Sequence, residues 1–537
     1  MRQHFLIPAI LGGLLAPASG TLADETTAPD FEGATIREVV VDKANIFDTD
    51  NPDEDKWLYR MANRFHVVTR DSTITRQLLL EPGQPYSKRL VEESERILRQ
   101  RKYIYDAQIR TTEVAPGVVD LHVVTRDIWS LVPEISFSRG GGENKWRAGF
   151  EESNLFGRGQ SLQFTYSDDK DRDSNSVSFV DEHLAGSRVA LYTKIADNSD
   201  GESQFLSIAR PFYALDARWA AGGSFFADTR ETTLYTAGEE AAEFGHERDY
   251  VSVFGGWSKG LSGRFARRWT YGVTYDENRF SPVAAPTLPG ILPSDRELIY
   301  PFVGFELLED EFVTSQNKDQ ISRTEDFLMG RRVTASLGWS DESLGSDRNA
   351  LIYALSASQG FGTLGEHALL LSLQARGRVE SGDTRNAQLW FSARYYRRQS
   401  DKRLLFASIA GSAGHALDID NPVFIGGDSG MRGYPINYQN GESSVVATIE
   451  QRYFTDWYPW RLFHIGAAIF ADAGRVWGPN PAGPEEREWL ANAGIGLRIA
   501  PTRFSSTKVF HLDIAAPLNG DDSIDSVQIS FSAKRSF

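Results

Sequence analysis

The chain has 537 residues, no cysteine, and 57 basic against 73 acidic side chains, for a net charge of −16. These values exclude disulfides, thiolate metal sites and a cysteine-borne lipid anchor, and an acidic chain without a basic stripe offers nucleic acid little to bind. A mean hydropathy of −0.36 with 47 glycines and 12% aromatics fits a large exported β-protein or a transmembrane β-barrel, whose apolar band is hidden in alternate residues.

Residues 1–23 read as a secretory signal: Arg2 and His4 precede the apolar run Phe5 to Leu15, and Thr21-Leu22-Ala23 supplies small residues at the cleavage positions. The run is shorter than a spanning helix needs and contains Pro8. No later window of about 18 apolar residues follows. Residues 24–34 read as a short leader.

Residues 35–127 form a small mixed unit. Thr35 to Asp42 alternates as a strand, and the acidic stretch Asp48 to Asp55 has turn composition and is expected to face solvent. Two helices are expected, Ile74 to Leu80 and Ser87 to Gln100. The second carries Leu90, Val91, Ser94, Ile97 and Leu98 on one face, with Ser87 as its N-cap. Strands Ala107 to Thr112 and Val118 to Thr125 complete the order β-α-α-β-β. The runs Leu78-Leu79-Leu80-Glu81-Pro82-Gly83-Gln84-Pro85-Tyr86 and Tyr103-Ile104-Tyr105-Asp106-Ala107-Gln108-Ile109, around that helix, resemble a polypeptide-transport-associated (POTRA) domain. Such a sheet has an edge that can accept an added strand.

Residues 128–537 read as a β-barrel: repeated alternating strands of about 8 to 12 residues separated by turns or polar loops. Trp146 to Glu152, Ser161 to Ser167, Val189 to Ile195, Trp219 to Ala227, Tyr250 to Ser258, Trp269 to Asp276 and Ala387 to Arg397 are examples. Short connections such as Asn154 to Gly159 contrast with long polar ones such as Asp228 to Glu247, as periplasmic turns and extracellular loops would. In the last strand Val527, Ile529, Phe531 and Ala533 oppose Gln528, Ser530, Ser532 and Lys534, and the sequence stops at Phe537.

One segment interrupts the pattern. Gly426-Gly427-Asp428-Ser429-Gly430-Met431-Arg432-Gly433-Tyr434-Pro435 has four glycines in eight residues, which give the backbone access to φ > 0 but leave few side chains to bury, so something outside it must hold it. Alone it reads as a solvated loop. The flanking strands change that reading. Between Ser444 and Tyr453, Val445, Ala447, Ile449 and Tyr453 share the apolar face, so Glu450 points into the lumen with Thr448 and Arg452. Between Ile465 and Gly474, the isoleucines and alanines at odd positions face lipid, which turns Phe470 and Asp472 inward. Two inward carboxylates call for a cation, and the planar fork of Arg432 suits them.

This combination resembles the BamA/TamA superfamily, whose members insert or secrete polypeptides at the outer membrane. Met431-Arg432-Gly433-Tyr434 matches three of four positions of the family's Val/Ile-Arg-Gly-Phe/Tyr loop tetrad, and the methionine departs only at an apolar position. Phe470-Ala471-Asp472-Ala473-Gly474 meets the family's Phe-x-Asp-x-Gly strand motif in full, and Glu450 corresponds to its acidic residue on the strand after the loop. The carboxy-terminal aromatic strand, with Phe531 and Phe537, resembles the outer-membrane β-signal. The resemblance implies a mostly β fold: a transmembrane antiparallel barrel of 16 strands behind one α+β POTRA domain in the periplasm, although the pass along the sequence counts nearer 20 strands, with extra hairpins among residues 175–230 and 350–411. It further implies polypeptide clients, a lipid bilayer and periplasmic accessory proteins as partners, with no cofactor, metal, nucleic acid or enzymatic step.

Three functions fit: an insertase with a lateral seam between first and last barrel strands, a two-partner-type secretion pore, and a passive porin or structural barrel. A protease is disfavoured although Gly427-Asp428-Ser429-Gly430 looks like a serine-protease nucleophile segment, because no histidine motif accompanies it.

Overall fold

The structure is a computed structural model. It describes residues 31–534 except 141–142, 237–238, 284–290, 480–487, 505–508 and 521–523. The expected signal, most of the leader and Phe537 lie outside the described residues.

The amino-terminal unit is a three-stranded sheet covered by helices. Strand β1 (Thr35–Ala44) runs parallel to β3 (Val118–Asp127), which pairs antiparallel with β2 (Ile104–Ala115) in the order β1-β3-β2. Its core joins Ile36, Leu98, Ile104, Val119 and Val123, all buried. Three helices occur rather than two: α1 (Trp57–Phe65), α2 (Asp71–Thr75) and α3 (Lys88–Arg99). The helix expected at 74–80 is the five-residue α2, which ends before the leucine run, and α1 occupies a stretch that the sequence reading left without an element. Ser87 is the N-cap residue of α3 by position, yet its side chain makes no capping bond. The acidic stretch 48–55 is not wholly solvated. Glu54 is buried because it pairs with Arg503 and accepts the Asp48 amide.

Among the described residues twenty strands form the barrel sheet, from β4 (Leu131–Gly140) to Gln528–Lys534, and the last strand comes round to lie beside the first. The count of 16 implied by resemblance is corrected to 20. The additional strands include those at 173–181, 190–198 and 201–210 and those between 350 and 415, where the alternating pattern had marked extra hairpins. Outward positions carry the exposed apolar side chains expected of a lipid-facing band, among them Tyr271, Ile449, Ile469, Ile495 and Ile529. Inward positions carry the buried charged side chains, among them Glu450, Arg452, Asp472 and Arg498, with apolar residues where the inserts pack.

The expected loop Asp228 to Glu247 is instead a continuous hairpin of strands Trp219–Thr236 and Glu239–Ser262. Twenty-four residues at about 3.3 Å each rise roughly 80 Å, far more than the apolar band of about 25 Å. Beyond that band the ladder continues with Leu234, Ala242 and Phe244 buried beside Ile291, between polar and charged neighbours that give the sequence a loop-like composition.

The amino-terminal unit lies across the near mouth of the barrel, the end where β4 begins. It bonds to six connections between barrel strands. Arg70 N and Thr73 Oγ1 donate to the Gly157 carbonyl, Arg188 donates to the Leu78 carbonyl, and Leu215 N donates to Glu93. Arg99 forks onto Asp326 at 2.9 and 2.6 Å, Tyr59 Oη donates to the Trp460 carbonyl at 2.5 Å, and Arg503 donates to the Ile46 carbonyl at 2.6 Å.

Candidate functional site

The glycine-rich segment is the tip of a far-side loop between strands Arg403–His415 and Ser443–Phe454. A two-stranded ladder, Val423–Ile425 with Gln439–Gly441, forms its base. The tip turns back on itself through Met431 N to the Gly426 carbonyl and Gly427 N to the Pro435 carbonyl. Its glycines serve closeness more than torsion. Gly430 has φ +104°, but a Cβ on Gly433 would stand 2.8 Å from Asn492 Cβ, and one on Gly474 of the facing wall 2.8 Å from Met431 Sδ. Met431 and Tyr434 are fully buried with Ile425, Val476 and Leu490, so methionine fills the apolar position of the tetrad. Tyr434 Oη also donates to the Ala491 carbonyl and to Asn519.

Arg432 reaches the carboxylates that strand parity turned inward. Nε and Nη2 fork onto Asp472 at 2.9 and 2.8 Å, and Nη1 donates to Glu450 at 2.9 Å. Its guanidinium carbon lies 3.3 Å from the Phe470 ring centroid. The register places Glu450 opposite Phe470 and Thr448 opposite Asp472, which explains why Thr448 Oγ1 adds a bond to Asp472 at 2.7 Å. Asn492, opposite Asp472 on the next strand, adds another at 2.8 Å.

The cluster is larger than the sequence reading made it. Asp513 approaches Arg432 at 3.7 Å and pairs with Arg498, which also lies 3.6 Å from Glu450, while Arg452 donates to Glu450 at 3.0 Å. Arg432, Arg452 and Arg498 thus face Glu450, Asp472 and Asp513. All six are nearly dry and their formal charges cancel. Burial of ions is tolerable only when each is paired and hydrogen-bonded, as here. The same parity rule, carried to strands Leu490–Pro501 and Val509–Pro517, would have found Arg498 and Asp513.

A second insert rises from the near side. Between strands Arg296–Glu309 and Arg332–Ser340 the chain forms a hairpin, Phe312–Ser315 with Glu325–Leu328. Its tip enters the lumen. Lys318 and Ile321 are buried, and Ile321 packs with Tyr396, Leu404, Phe406 and Phe454 of the wall. Glu325 braces the tip by accepting the amides of Lys318, Asp319 and Gln320 at 3.0, 2.9 and 3.1 Å. Arg452 donates to the Lys318 carbonyl at 2.6 Å, so the near insert touches the residue that holds Glu450. The other end of the hairpin is bound to the amino-terminal unit through Arg99 and Asp326.

Phe531, read as part of the terminal signal, stacks on Phe510 at 5.9 Å between centroids. Among the described residues no cluster of metal-ligating side chains occurs.

The family model described as the Omp85 superfamily domain matches residues 330–537, which carry every residue of the Arg432 cluster, and a POTRA model, described as a surface antigen variable number repeat, matches residues 64–128. Residues 330–537 thus carry an Omp85 superfamily domain, behind a POTRA domain at 64–128. Omp85 barrels are outer-membrane proteins with their POTRA domains on the periplasmic side. Among solved structures the chain is similar to BamA from Haemophilus ducreyi lacking POTRA domains 1–3, at 14% identity over 93% of this chain and 84% of that one, with a TM-score of 0.36. It is also similar to CdiB from Acinetobacter baumannii, at 12% identity over 94% and 74% with a TM-score of 0.43, and to CdiB from Escherichia coli, at 13% over 93% and 76% with a TM-score of 0.46. No curated protein sequence matches the chain.

Proposed function

We propose that this Omp85 protein helps polypeptides enter the outer membrane through its wall, at the seam between β4 and Gln528–Lys534, with its POTRA domain in the periplasm receiving the client. The observation that carries this reading is the occupied lumen: the Arg432 loop fills it from the far side, the 312–328 hairpin enters from the near side, and the POTRA domain lies across the near mouth. A client strand adding to an exposed sheet edge gains main-chain hydrogen bonds without entering that interior. Among the described residues the last strand has seven, the fewest of any barrel strand, which favours the seam as the place where a strand is exchanged. No bond is broken and no nucleotide is consumed on this reading.

A secretion route through the lumen is the second reading. A cavity of about 910 Å³, whose lining includes Arg268, Glu306, Arg332, Gln374 and Arg376, lies along the strands from which the 312–328 hairpin springs and supports it.

Cysteine pairs placed across the seam of this cysteine-free chain test the choice. Oxidative locking is expected to stop client assembly and reduction to restore it. Unimpaired assembly with the seam locked overturns the lateral route. Export that survives the lock but stops when the Arg432 loop is tethered to the wall establishes the lumenal one.

A further inference from the structure

Helix α1 presents an apolar face that nothing among the described residues covers. Trp57, Leu58, Met61 and Phe65 are 64, 59, 40 and 67% exposed, and at 3.6 residues per turn they fall within an arc of about 100°. The opposite face is fastened to the protein. Tyr59 stacks on Phe47 with centroids 4.2 Å apart, Asn63 exchanges bonds with the Phe47 backbone, and Tyr59 and Ala62 pack with Trp129 and Leu462. The helix is therefore held rigidly with its apolar side turned away from its own domain. A helix so placed in a purely aqueous compartment would expose far more apolar surface than a soluble domain tolerates.

Its position says what covers that face. Trp129 directly precedes β4, the first barrel strand, and Leu462 ends the connection that carries Trp457 and Trp460, which are 63 and 69% exposed. Tyr59 bonds to the Trp460 carbonyl, and Arg461 pairs with Asp53 just before α1. Leu131 and Ile135 on β4 continue the exposed apolar surface into the lipid-facing band. The opposite face of α1 is thus fastened, through Trp129 and Leu462, to the near-side rim where the barrel's exposed apolar surface begins, which holds the uncovered face beside that rim. Lys56, Arg60 and Arg64, all exposed, flank it, the arrangement of a helix lying in a membrane interface.

We propose that α1 docks on lipid: its Trp57-Leu58-Met61-Phe65 face lies in the periplasmic-side leaflet beside the first barrel strand, anchoring the POTRA domain to the membrane next to the seam. The occupant is phospholipid, with acyl chains against the aromatic and aliphatic side chains and headgroup phosphates within reach of the basic residues.

The test uses the full chain, folded into vesicles of phosphatidylethanolamine and phosphatidylglycerol. Single-cysteine variants Met61→Cys and Phe65→Cys, with Glu113→Cys near the exposed turn between β2 and β3, at the end of β3 away from the barrel, as the control, carry a small bimane fluorophore. Folding of each is checked by heat-modifiable gel mobility. Lipid bearing a nitroxide high on the acyl chain is expected to quench the labels at 61 and 65 several-fold more than the label at 113, and aqueous iodide is expected to show the reverse order. Equal quenching at all three positions overturns the proposal. So does shielding of positions 61 and 65 from iodide without quenching by the lipid nitroxide, which would assign the face to a protein partner.

Discussion

Arg452 donates to the main-chain carbonyl of Lys318, and through this bond a side chain of the barrel wall holds the tip of the near-side hairpin. The same guanidinium supports Glu450 and packs over the Phe406 ring at 3.8 Å. Arg452→Met keeps the packing and removes both charged bonds. A hydrogen bond to a charged group contributes about 1.5–3 kcal/mol, so amides 317–322 are expected to exchange roughly 10- to 100-fold faster by mass spectrometry. Unchanged protection at these amides would show that Ile321 and the bonds of Asp319 to Arg394 and Tyr396 hold the tip without Arg452.

Arg432→Ala leaves three buried carboxylates facing two arginines. Breaking one partner of a buried pair costs about 3–5 kcal/mol, to be read as a lower temperature for loss of the compact barrel on gels. Arg432→Lys keeps the charge but cannot fork onto both oxygens of Asp472, and is expected to recover only part of that loss. Combined with Asp472→Asn, Arg432→Ala should be strongly non-additive.

Gly433→Ala and Gly474→Ala differ in what they strike. The new methyl at 433 meets Asn492 Cβ at 2.8 Å and the Pro517 backbone nitrogen at 3.1 Å, whereas the one at 474 first meets the flexible Met431 thioether. Overpacking costs about 1–3 kcal/mol. Gly433→Ala is expected at the upper end and Gly474→Ala at the lower, with Met431→Ala relieving the second but not the first.

Burial pushes the Glu325 carboxyl up to about 7. A folded-state value above the unfolded one means the protonated form stabilises the fold, fully at pH below the ordinary glutamate range and progressively less as pH rises through 7. The opening free energy of amides 318–320, corrected for intrinsic exchange, is expected to fall between pH 5 and 8. Glu325→Gln, which cannot ionise, should flatten that slope.

Strand parity made much of this site legible. Period 2 turned Glu450, Phe470 and Asp472 inward, and charge balance then selected Arg432. Arg498 and Asp513 obey the same parity but lie outside the two strands where it was applied. The 312–328 hairpin could not be read from its own residues: Gln316-Asn317-Lys318-Asp319-Gln320 has the composition of a solvated turn, and only a polar barrel wall makes its burial possible. Helix α1 did leave a signal, since Trp57, Met61 and Phe65 recur at intervals of four, but its face is apolar outward, the reverse of the pattern by which a soluble helix is recognised. The strand count differed for a topological reason, because resemblance to a family transfers its motifs more securely than the number of hairpins between them.

Arg452 bonds both the tip of the near insert and Glu450, the carboxylate that receives Arg432, so a coupling of the two inserts through it would be symmetrical. A client or partner that draws the 312–328 hairpin toward the POTRA domain weakens the support of Glu450, and so the grip on Arg432, by some factor. Any ligand that lifts the Arg432 loop from the outer face must loosen the hairpin by that same factor. The protein would then relay a binding event in either direction across the membrane with no energy source beyond the binding itself.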